Sequence, residues 1–435
     1  MGYVLVGTLF AVQTPAWQAP DEPAHYNYVA QVARDGCCPL IEQGDWQSDY
    51  QLELTTLKFA PDLLDRLDTI QYEDHQPPLY YLLSSVVYSL TEGSLTALRL
   101  FSMMLGGIVV VIAYIIGKHV FPNQPQIALG AMALVAFQPQ HLMMITSVNN
   151  DALAEVIIAF GLLWIIRYLQ TEKIPVWQLG LIMALGLMTK TTTYFLAGVI
   201  PLAILLKWHT QKRPLRDLIQ SWGIFLVIAL GIGGLWWLRN FGVYGFPDFL
   251  GLRAHDSVVT DQQRTAEYIA TNGIEIYRSE MARVTFNSFW GQFGWMAVPL
   301  DHVLGGWIYR GFAGLMLVGI SGWVVARLPR QPQSNTPELD RRIRFNVWLI
   351  LTVTLILAML AYLYYNSEFV QWQGRYMFPG LIPFALVMVY GVDAWRSLFL
   401  ARWDSSRWLS VLLLLVLLPL DVYLLLNVIV VHLSP

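Results

Sequence analysis

Charged residues are scarce in this sequence. Asp, Glu, Lys and Arg make up only 13% of its 435 residues, whereas hydrophobic residues make up 56%. The charged share is about half that of a soluble globular protein, which argues against the two or three soluble domains that a chain of this length could otherwise form. The net charge of −3 carries no information about nucleic acid, because charge placement matters more than the total. No nucleic-acid partner is predicted.

Cysteine is almost absent as well. The two cysteines, Cys37 and Cys38, are adjacent in the sequence. Neighbouring cysteines close only a strained ring and cannot form a disulfide framework. Free thiols are one interpretation of the pair, and we assign no function to it.

The apolar residues are concentrated in separate runs of about 17 to 25 residues, the length that crosses roughly 30 Å of hydrocarbon. This pattern predicts an all-α polytopic membrane protein. The predicted spans are 98–117, 127–146, 152–169, 176–190, 193–207, 218–238, 307–327, 345–364, 378–395 and 408–431. The apolar stretch from Met1 to Gln13 lacks the basic region and cleavage site of a signal peptide. We predict it to be a further span, in a bundle of about eleven transmembrane helices.

Basic residues are concentrated in every second connection between these runs. If the N-terminus is cytoplasmic, the inner loops hold more than half of the 27 Lys and Arg residues, namely Lys118, Arg167, Lys173, Lys207, Lys212, Arg213, Arg216, Arg327, Arg330, Arg341, Arg342, Arg344, Arg396, Arg402 and Arg407. The positive-inside rule therefore favours this orientation. Two long loops, 14–97 and 239–306, then lie outside the cytoplasm. The apolar segment from Pro77 to Leu90 is too short to span and is predicted to be an interfacial helix.

Carboxylates and imidazoles form three groups near the predicted outer face. Asp21 and His25 share a helix face in PDEPAHYNYV, next to Glu22; they are typical of a helix start, and a carboxylate there could also serve as a general base. Glu73, Asp74 and His75 precede two prolines and could form a metal site or a solvated loop. In SVNNDALAEV, Asn150 and Asp151 are typical helix caps, whereas Glu155 lies one turn inside a span, where an ionisable group requires a partner.

Four cations are predicted at the outer ends of different spans, where Lys and Arg are normally rare. They are Arg99, Lys190, Arg239 and Arg375. A phosphate group lodged between helices would explain them, because Arg binds phosphate in a bidentate manner and Lys acts as a point charge. Snorkelling to lipid head groups explains any one of them equally well. In the second long loop, Trp290 and Trp295 could belong to a membrane-interface belt or form a stacking platform for a sugar ring.

Taken in order, eight motifs resemble those of the GT-C class of membrane glycosyltransferases, and within it glycosyltransferase family 39 and bacterial aminoarabinose transferase-like proteins. The motifs are DEPAHYNYV, QPPLYYLL, ALRLFS, SVNNDALA, LMTKTTTYF, WWLRNFGVYG, SFWGQFGW and QGRYMFPG. The resemblance extends from Trp17 to about Pro383. It implies a GT-C-like bundle and an inverting transfer of a sugar from a polyprenyl-phosphate donor to an acceptor outside the cytoplasm.

The resemblance also implies roles for individual residues. Asp21 matches the position of the general base and Glu22 its acidic neighbour, while Asp151 matches a second acidic position and Lys190 the lysine of the fifth span. Relatives often carry a carboxylate where this sequence has Gln76, so the need for a divalent metal stays open. Its candidate ligands are Asp21, Asp74, His75 and Asp151. The predicted substrate pocket comprises His25, His75, Asn150, Asp151, Glu155, Trp290 and Trp295.

The predicted organisation is a single transmembrane domain over residues 1–435 with no soluble C-terminal domain. The predicted location is the bacterial cytoplasmic membrane, with the active site on the extracytoplasmic side. A transporter or flippase of a lipid-linked or anionic substrate is the main alternative, because intramembrane charges and many spans fit it too. A non-catalytic assembly subunit that retains the fold is a further one.

Overall fold

The structure is a computed structural model that describes residues 1–171, 173–326, 337–400 and 406–435. This part of the chain is almost entirely helical, which confirms the predicted fold class. The α-helices, in chain order, are α1 (Gly2–Gln13), α2 (Glu22–Asp35), α3 (Ser48–Thr56), α4 (Leu79–Leu90), α5 (Leu95–Val120), α6 (Pro125–Ala136), α7 (Pro139–Ile145), α8 (Asp151–Gln170), α9 (Val176–Leu187), α10 (Leu196–Gln211), α11 (Leu215–Tyr244), α12 (Leu252–Val258), α13 (Thr265–Asn272), α14 (Ile274–Trp290), α15 (Trp307–Val325), α16 (Glu338–Glu368), α17 (Leu381–Phe399), α18 (Ser406–Leu424) and α19 (Val430–Leu433).

Shorter elements join these helices. An antiparallel ribbon pairs β1 (Gln292–Phe293) with β2 (Val298–Pro299). Tight 3₁₀ turns occur at Pro61–Thr69, Thr191–Thr193, Val303–Gly306 and Gly374–Gly380, and a π-helical turn at Leu425–Ile429 connects α18 to α19.

Eight helical segments of the described chain are long and apolar enough to cross a membrane: Leu95–Val120, Asp151–Gln170, Thr191–Gln211, Leu215–Tyr244, Val303–Val325, Glu338–Glu368, Gly374–Phe399 and Trp408–Leu433. A ninth results if α6 and α7, which meet at 62°, form one broken span. The predicted count of about eleven is therefore not confirmed. The two remaining predicted spans, α1 and α9, have 12 residues each, a length of about 18 Å that covers only part of the hydrocarbon.

The break between α6 and α7 has a local cause. Pro139 begins α7, and proline cannot supply the N–H that would continue the preceding helix. Gln138 caps α7, because its side-chain oxygen accepts a hydrogen bond from the backbone N–H of His141. The short helix α7 consequently packs across the end of the bundle, against α8 and α14.

The two long loops pack on each other. They share a hydrophobic cluster built from Ile41, Tyr50, Leu54, Phe59, Ile70 and Tyr72 of the first loop and Val258 and Val259 of the second. The indole of Trp46 also donates a hydrogen bond to the carbonyl of Thr260 at 3.0 Å. In the first loop, α4 is a short apolar helix, as predicted for residues 77–90, and packs against α2. Cys37 and Cys38 are joined to each other by a disulfide, so they are not free thiols.

Part of the predicted topology lies outside the described residues. Residues 327–336 and 401–405 belong to two of the predicted inner loops and include Arg327, Arg330 and Arg402. The cytoplasmic position of the N-terminus stays a prediction.

Candidate active site

Charged side chains from distant parts of the chain meet at one end of the bundle. Asp21 precedes α2, Asp151 begins α8, Lys190 follows α9, and Arg375 lies in the 3₁₀ turn that leads into α17. His25, one turn into α2, interacts electrostatically with all four. Together with Glu73, these residues form what we call the charge cluster: Asp21, His25, Glu73, Asp151, Lys190 and Arg375.

Asp21 and Arg375 form an ion pair at the centre of the charge cluster. Nη2 of Arg375 donates to Oδ2 of Asp21 at 2.5 Å, and the Tyr72 hydroxyl donates to Oδ1 at 2.9 Å. Asp21 has a left-handed backbone with φ of 67°, a conformation that non-glycine residues adopt mainly at functional sites or turns. The Arg375 side chain is 5% exposed, and its Nε has no hydrogen-bond partner among the described residues. The Nε–H of Arg375 is therefore available to donate a hydrogen bond to a further acceptor.

Lys190 and Asp151 form a second, more accessible ion pair. Nζ of Lys190 lies 2.6 Å from Oδ1 of Asp151, and the two side chains are 14% and 21% exposed. Asp151 begins α8, where the helix dipole favours a carboxylate. Its backbone N–H donates to the side-chain oxygen of Asn149 at 2.8 Å. The pair is thus held at a helix start, within reach of a solute.

His25 and Asn150 provide neutral polar groups beside these charges. Nδ1 of His25 and the Tyr81 hydroxyl are 2.8 Å apart, and Nδ2 of Asn150 donates to the same hydroxyl at 3.3 Å. Burial, reinforced by the charge of Lys190, lowers the pKa of His25 to about 3. The imidazole is consequently neutral at physiological pH and acts as a hydrogen-bonding group rather than a cation.

The first loop contributes two carboxylates to the charge cluster, Asp21 and Glu73, and their pKa values shift in opposite directions. Burial favours a raised pKa at Asp21, but the charge of Arg375 and its hydrogen bond to Asp21 outweigh it and hold the pKa below its usual value. Burial raises the pKa of Glu73 to about 7, and the charge of Asp21 contributes to this rise to a smaller extent. The charge of Lys190 acts in the other direction. Sequence reasoning did not assign Glu73 to the site. The signal that could have found it is its place ahead of the two prolines that precede α4.

Part of the chain matches a known protein family, and its fold is similar to that of a solved structure. Residues 75–237 match the family model described as dolichyl-phosphate-mannose-protein mannosyltransferase. The structure of ArnT from Cupriavidus metallidurans bound to undecaprenyl phosphate is similar to the chain, with a TM-score of 0.53 and 13% identity over 99% of this chain and 72% of that one. Residues 75–237 thus match a GT-C glycosyltransferase family, and the chain is similar in fold to ArnT. The apo structure of the same ArnT gives a TM-score of 0.41 at 14% identity, covering 90% of this chain and 74% of that one. No curated protein sequence matches the chain.

The family match covers only part of the charge cluster. Asn150, Asp151 and Lys190 lie inside the matched residues 75–237. Asp21 and Arg375 lie outside them, and the fold brings these two together across 354 positions of the chain.

Glu22 and Arg99 lie together outside the charge cluster. Nε and Nη2 of Arg99 donate to the two oxygens of Glu22 at 2.8 and 2.6 Å, and both side chains are buried. Arg99 also donates to the carbonyls of Ala11, Thr14 and Pro15. These five hydrogen bonds equal the number of guanidinium N–H donors. We therefore replace the predicted roles, phosphate ligand for Arg99 and catalytic group for Glu22, with a structural one.

Arg239 contacts backbone carbonyls and aromatic rings that lie outside the ion pairs of the charge cluster. Its Nη2 donates to the carbonyls of Cys38 at 3.0 Å and Pro39 at 2.6 Å. The guanidinium lies over the rings of Trp236 and Tyr244. Arg239 thus ties the first loop to the end of α11, and its role as a ligand of the donor phosphate stays a prediction.

Three of the remaining predicted pocket residues, Trp290, Trp295 and Glu155, contact other parts of the protein. Trp290 is fully buried and stacked on Phe312, with ring centroids 4.2 Å apart, so it is neither an interface residue nor an accessible platform. The indole of Trp295 donates to the carbonyl of Trp17 at 2.9 Å and links the two long loops. Glu155 pairs with His141, its Oε2 lying 2.7 Å from Nε2, which supplies the partner that a carboxylate inside a span requires.

The four candidate metal ligands do not form one set of metal-binding side chains in the described residues. Asp21 and Asp151 take part in separate ion pairs, Asp74 accepts a hydrogen bond from Gln31 at 2.7 Å, and the ring of His75 lies 4.5 Å from that of His255. In the described ranges, no group of three or more His, Cys, Asp or Glu side chains could hold a metal ion. The residues present do not fit a metal site, and no step is assigned to one.

Asp74 is buried, and its Oδ1 has no hydrogen-bond partner within the described ranges. Burial raises its pKa to about 8. As the pH rises from about 4 to about 8, the unfolded chain loses this proton before the folded one does, so the folded state loses stability over that window. Asp74→Asn should therefore raise the melting temperature by several degrees at pH 8 and change it little at pH 5. Melting curves at both values test this, and equal shifts at the two would contradict it.

Proposed function

We propose that the protein transfers a sugar from a polyprenyl-phosphate-linked donor to an acceptor outside the cytoplasm, with inversion at the sugar's anomeric carbon. The observation that carries this proposal is the meeting of Lys190 and Arg375, from separate parts of the chain, in one cluster with displaceable carboxylates. GT-C membership supports lipid-linked sugar transfer in general. The ArnT structure to which the chain is similar contains undecaprenyl phosphate, which supports a polyprenyl phosphate as the donor's lipid.

The two cations suit the donor phosphate in complementary ways. Arg375 has a planar guanidinium whose Nε is unpaired in the described part of the chain and can contribute to bidentate phosphate binding. Lys190 offers a point charge that is partly exposed. Departure of the sugar leaves additional negative charge on the phosphate, and cations that are already in position stabilise this charge in the transition state. Asp21 and Asp151 hold the two cations in place until the phosphate arrives.

The helix α4 gives the site a border that suits a lipid chain. Its Tyr80, Tyr81 and Ser84 are buried, and Tyr81 contacts His25 of the charge cluster. The opposite face exposes Leu82, Leu83, Val86 and Leu90. An apolar surface beside the two cations of the charge cluster is what a phosphate attached to a long hydrocarbon tail requires, because head and tail need different surroundings.

Binding of undecaprenyl phosphate to the purified protein tests the proposal. Lys190→Ala and Arg375→Ala should each weaken binding by about 1.5–3 kcal/mol, the scale of a hydrogen bond to a charged group. Arg278→Ala is the matched control, since this arginine is 69% exposed and pairs only with a neighbouring surface glutamate. Unchanged affinity in both cluster variants would reject the donor site.

The proposed location of the active site leads to a labelling experiment. Ser48→Cys lies in the first long loop and Lys173→Cys in a predicted inner loop. A membrane-impermeant thiol reagent applied to intact cells should modify the first variant, and the second only after permeabilisation, with the wild-type chain as the background. The reverse pattern would place the charge cluster on the cytoplasmic side and overturn the proposed topology.

A further inference from the structure

Glu73 has an uncommitted carboxylate oxygen inside the charge cluster. Its Oε2 is buried and makes no hydrogen bond in the part of the chain that the structure describes. By contrast, both oxygens of Asp21 are engaged, one by Arg375 and the other by Tyr72. An unpaired buried carboxylate oxygen is costly, so its retention requires an explanation.

The groups that face Glu73 are those of the proposed donor site. Asp21, Lys190 and Arg375 are its charged electrostatic neighbours, and Asp74 adjoins it in sequence. The hydroxyls of Tyr72, Tyr81 and Tyr365 also interact with it electrostatically. Glu73 thus lies beside the cations that would hold the phosphate, with phenols completing its surroundings.

On the basis of the proposed transfer, we infer that Glu73 is the general base that removes the proton from the acceptor. In this step the acceptor oxygen forms a bond to the anomeric carbon of the sugar. The bond between that carbon and the phosphate oxygen breaks, and its electron pair leaves with the phosphate. The acceptor's proton moves to Glu73, so the complex with the product polyprenyl phosphate holds that proton on its carboxyl group.

Glu73 is better suited to this role than Asp21, the base predicted from the resemblance. A general base works best when its pKa lies near the operating pH, and that of Glu73 is about 7. Asp21 is held ionised by Arg375, with its pKa below the usual value, so it is a weaker proton acceptor. Its two hydrogen bonds instead make it a positioning residue, which orients Arg375.

The proton on Glu73 can be detected through the binding of undecaprenyl phosphate, the chemical equivalent of the leaving group. The phosphate favours protonated Glu73, so wild-type affinity relative to Glu73→Gln should fall about tenfold between pH 6 and pH 8, on either side of a pKa of about 7. The phosphate's own ionisation cancels in this ratio. Glu73→Asp should restore the pH dependence, and Asp74→Asn, the control at the neighbouring buried carboxyl, should retain the wild-type profile.

Transfer assays distinguish the base from a residue that only senses phosphate. With the lipid-linked sugars and acceptors of a bacterial membrane extract, wild-type turnover should rise with pH through about 7, and Glu73→Gln should lose about 10²-fold or more of it. Two results would overturn the role of Glu73 as the base and leave the proposed function standing. One is transfer by Glu73→Gln at the wild-type rate, and the other is a constant affinity ratio between pH 6 and pH 8. A wild-type protein that neither binds undecaprenyl phosphate nor transfers sugar would overturn the proposed function together with it.

Discussion

Arg99→Met should cost about 3–5 kcal/mol of folding free energy, the scale of breaking a buried ion pair by removing one partner. The substitution leaves the Glu22 carboxylate, whose side chain is completely buried, without its bidentate cation. It also removes the hydrogen bonds that tie α5 to the end of α1 through Thr14 and Pro15. The measurement is thermal unfolding and the yield of monodisperse protein in detergent.

The control for this experiment is Arg278→Met. Arg278 and Glu275 form an exposed pair, and exposed pairs contribute only about 0–1 kcal/mol. The double variant Glu22→Gln with Arg99→Met should recover part of the loss, because no buried charge then lacks a partner. If Arg99→Met proved as stable as Arg278→Met, the structural role assigned to the Glu22–Arg99 pair would be wrong.

Arg375→Ala should lower sugar transfer by about 10²–10³-fold, as expected when one preorganised donor to the charge of the transition state is removed. Its effect on stability should be smaller than that of Arg99→Met. The Asp21 side chain is 25% exposed, whereas that of Glu22 is completely buried, so water can solvate the carboxylate that loses its partner.

Arg375→Lys provides the matched variant. It retains the charge but not the planar guanidinium, so turnover should lie between those of the wild type and Arg375→Ala. Release of undecaprenyl phosphate during transfer with a membrane extract measures this turnover. A stable Arg375→Ala protein with wild-type turnover would show that Arg375 acts only in the architecture.

The sequence was sufficient to predict which cations lie near the ends of spans, but not which of them share a site. Hydrophobic runs indicate the depth of a residue in the bilayer, whereas its lateral neighbours depend on how the helices pack. Lys190 and Arg375 meet in the charge cluster, while Arg99 pairs with Glu22 and Arg239 with loop carbonyls. Nothing in the motif around Arg99 distinguishes a phosphate ligand from the partner of a buried glutamate.

The unconfirmed number of spans and the wrong role predicted for Trp290 have similar causes. The helices α1 and α9 are apolar in sequence but have only 12 residues each, because their ends depend on loops whose conformation hydropathy does not encode. Trp290 lies in a motif that fits an interface belt or a stacking platform, yet tertiary packing places it against Phe312 in the core. Glu73 was read together with its neighbours as a loop or metal ligand, because burial, which sets its pKa, is a property of the fold.

A structure of the full chain with bound undecaprenyl phosphate would test the central claim most directly. The predicted result is a phosphate within hydrogen-bond distance of both Lys190 and Arg375, with the hydrocarbon tail along the exposed face of α4. At least one of the present contacts to Asp151 or Asp21 should be replaced by a phosphate oxygen. A phosphate bound elsewhere, with both ion pairs intact, would contradict the account.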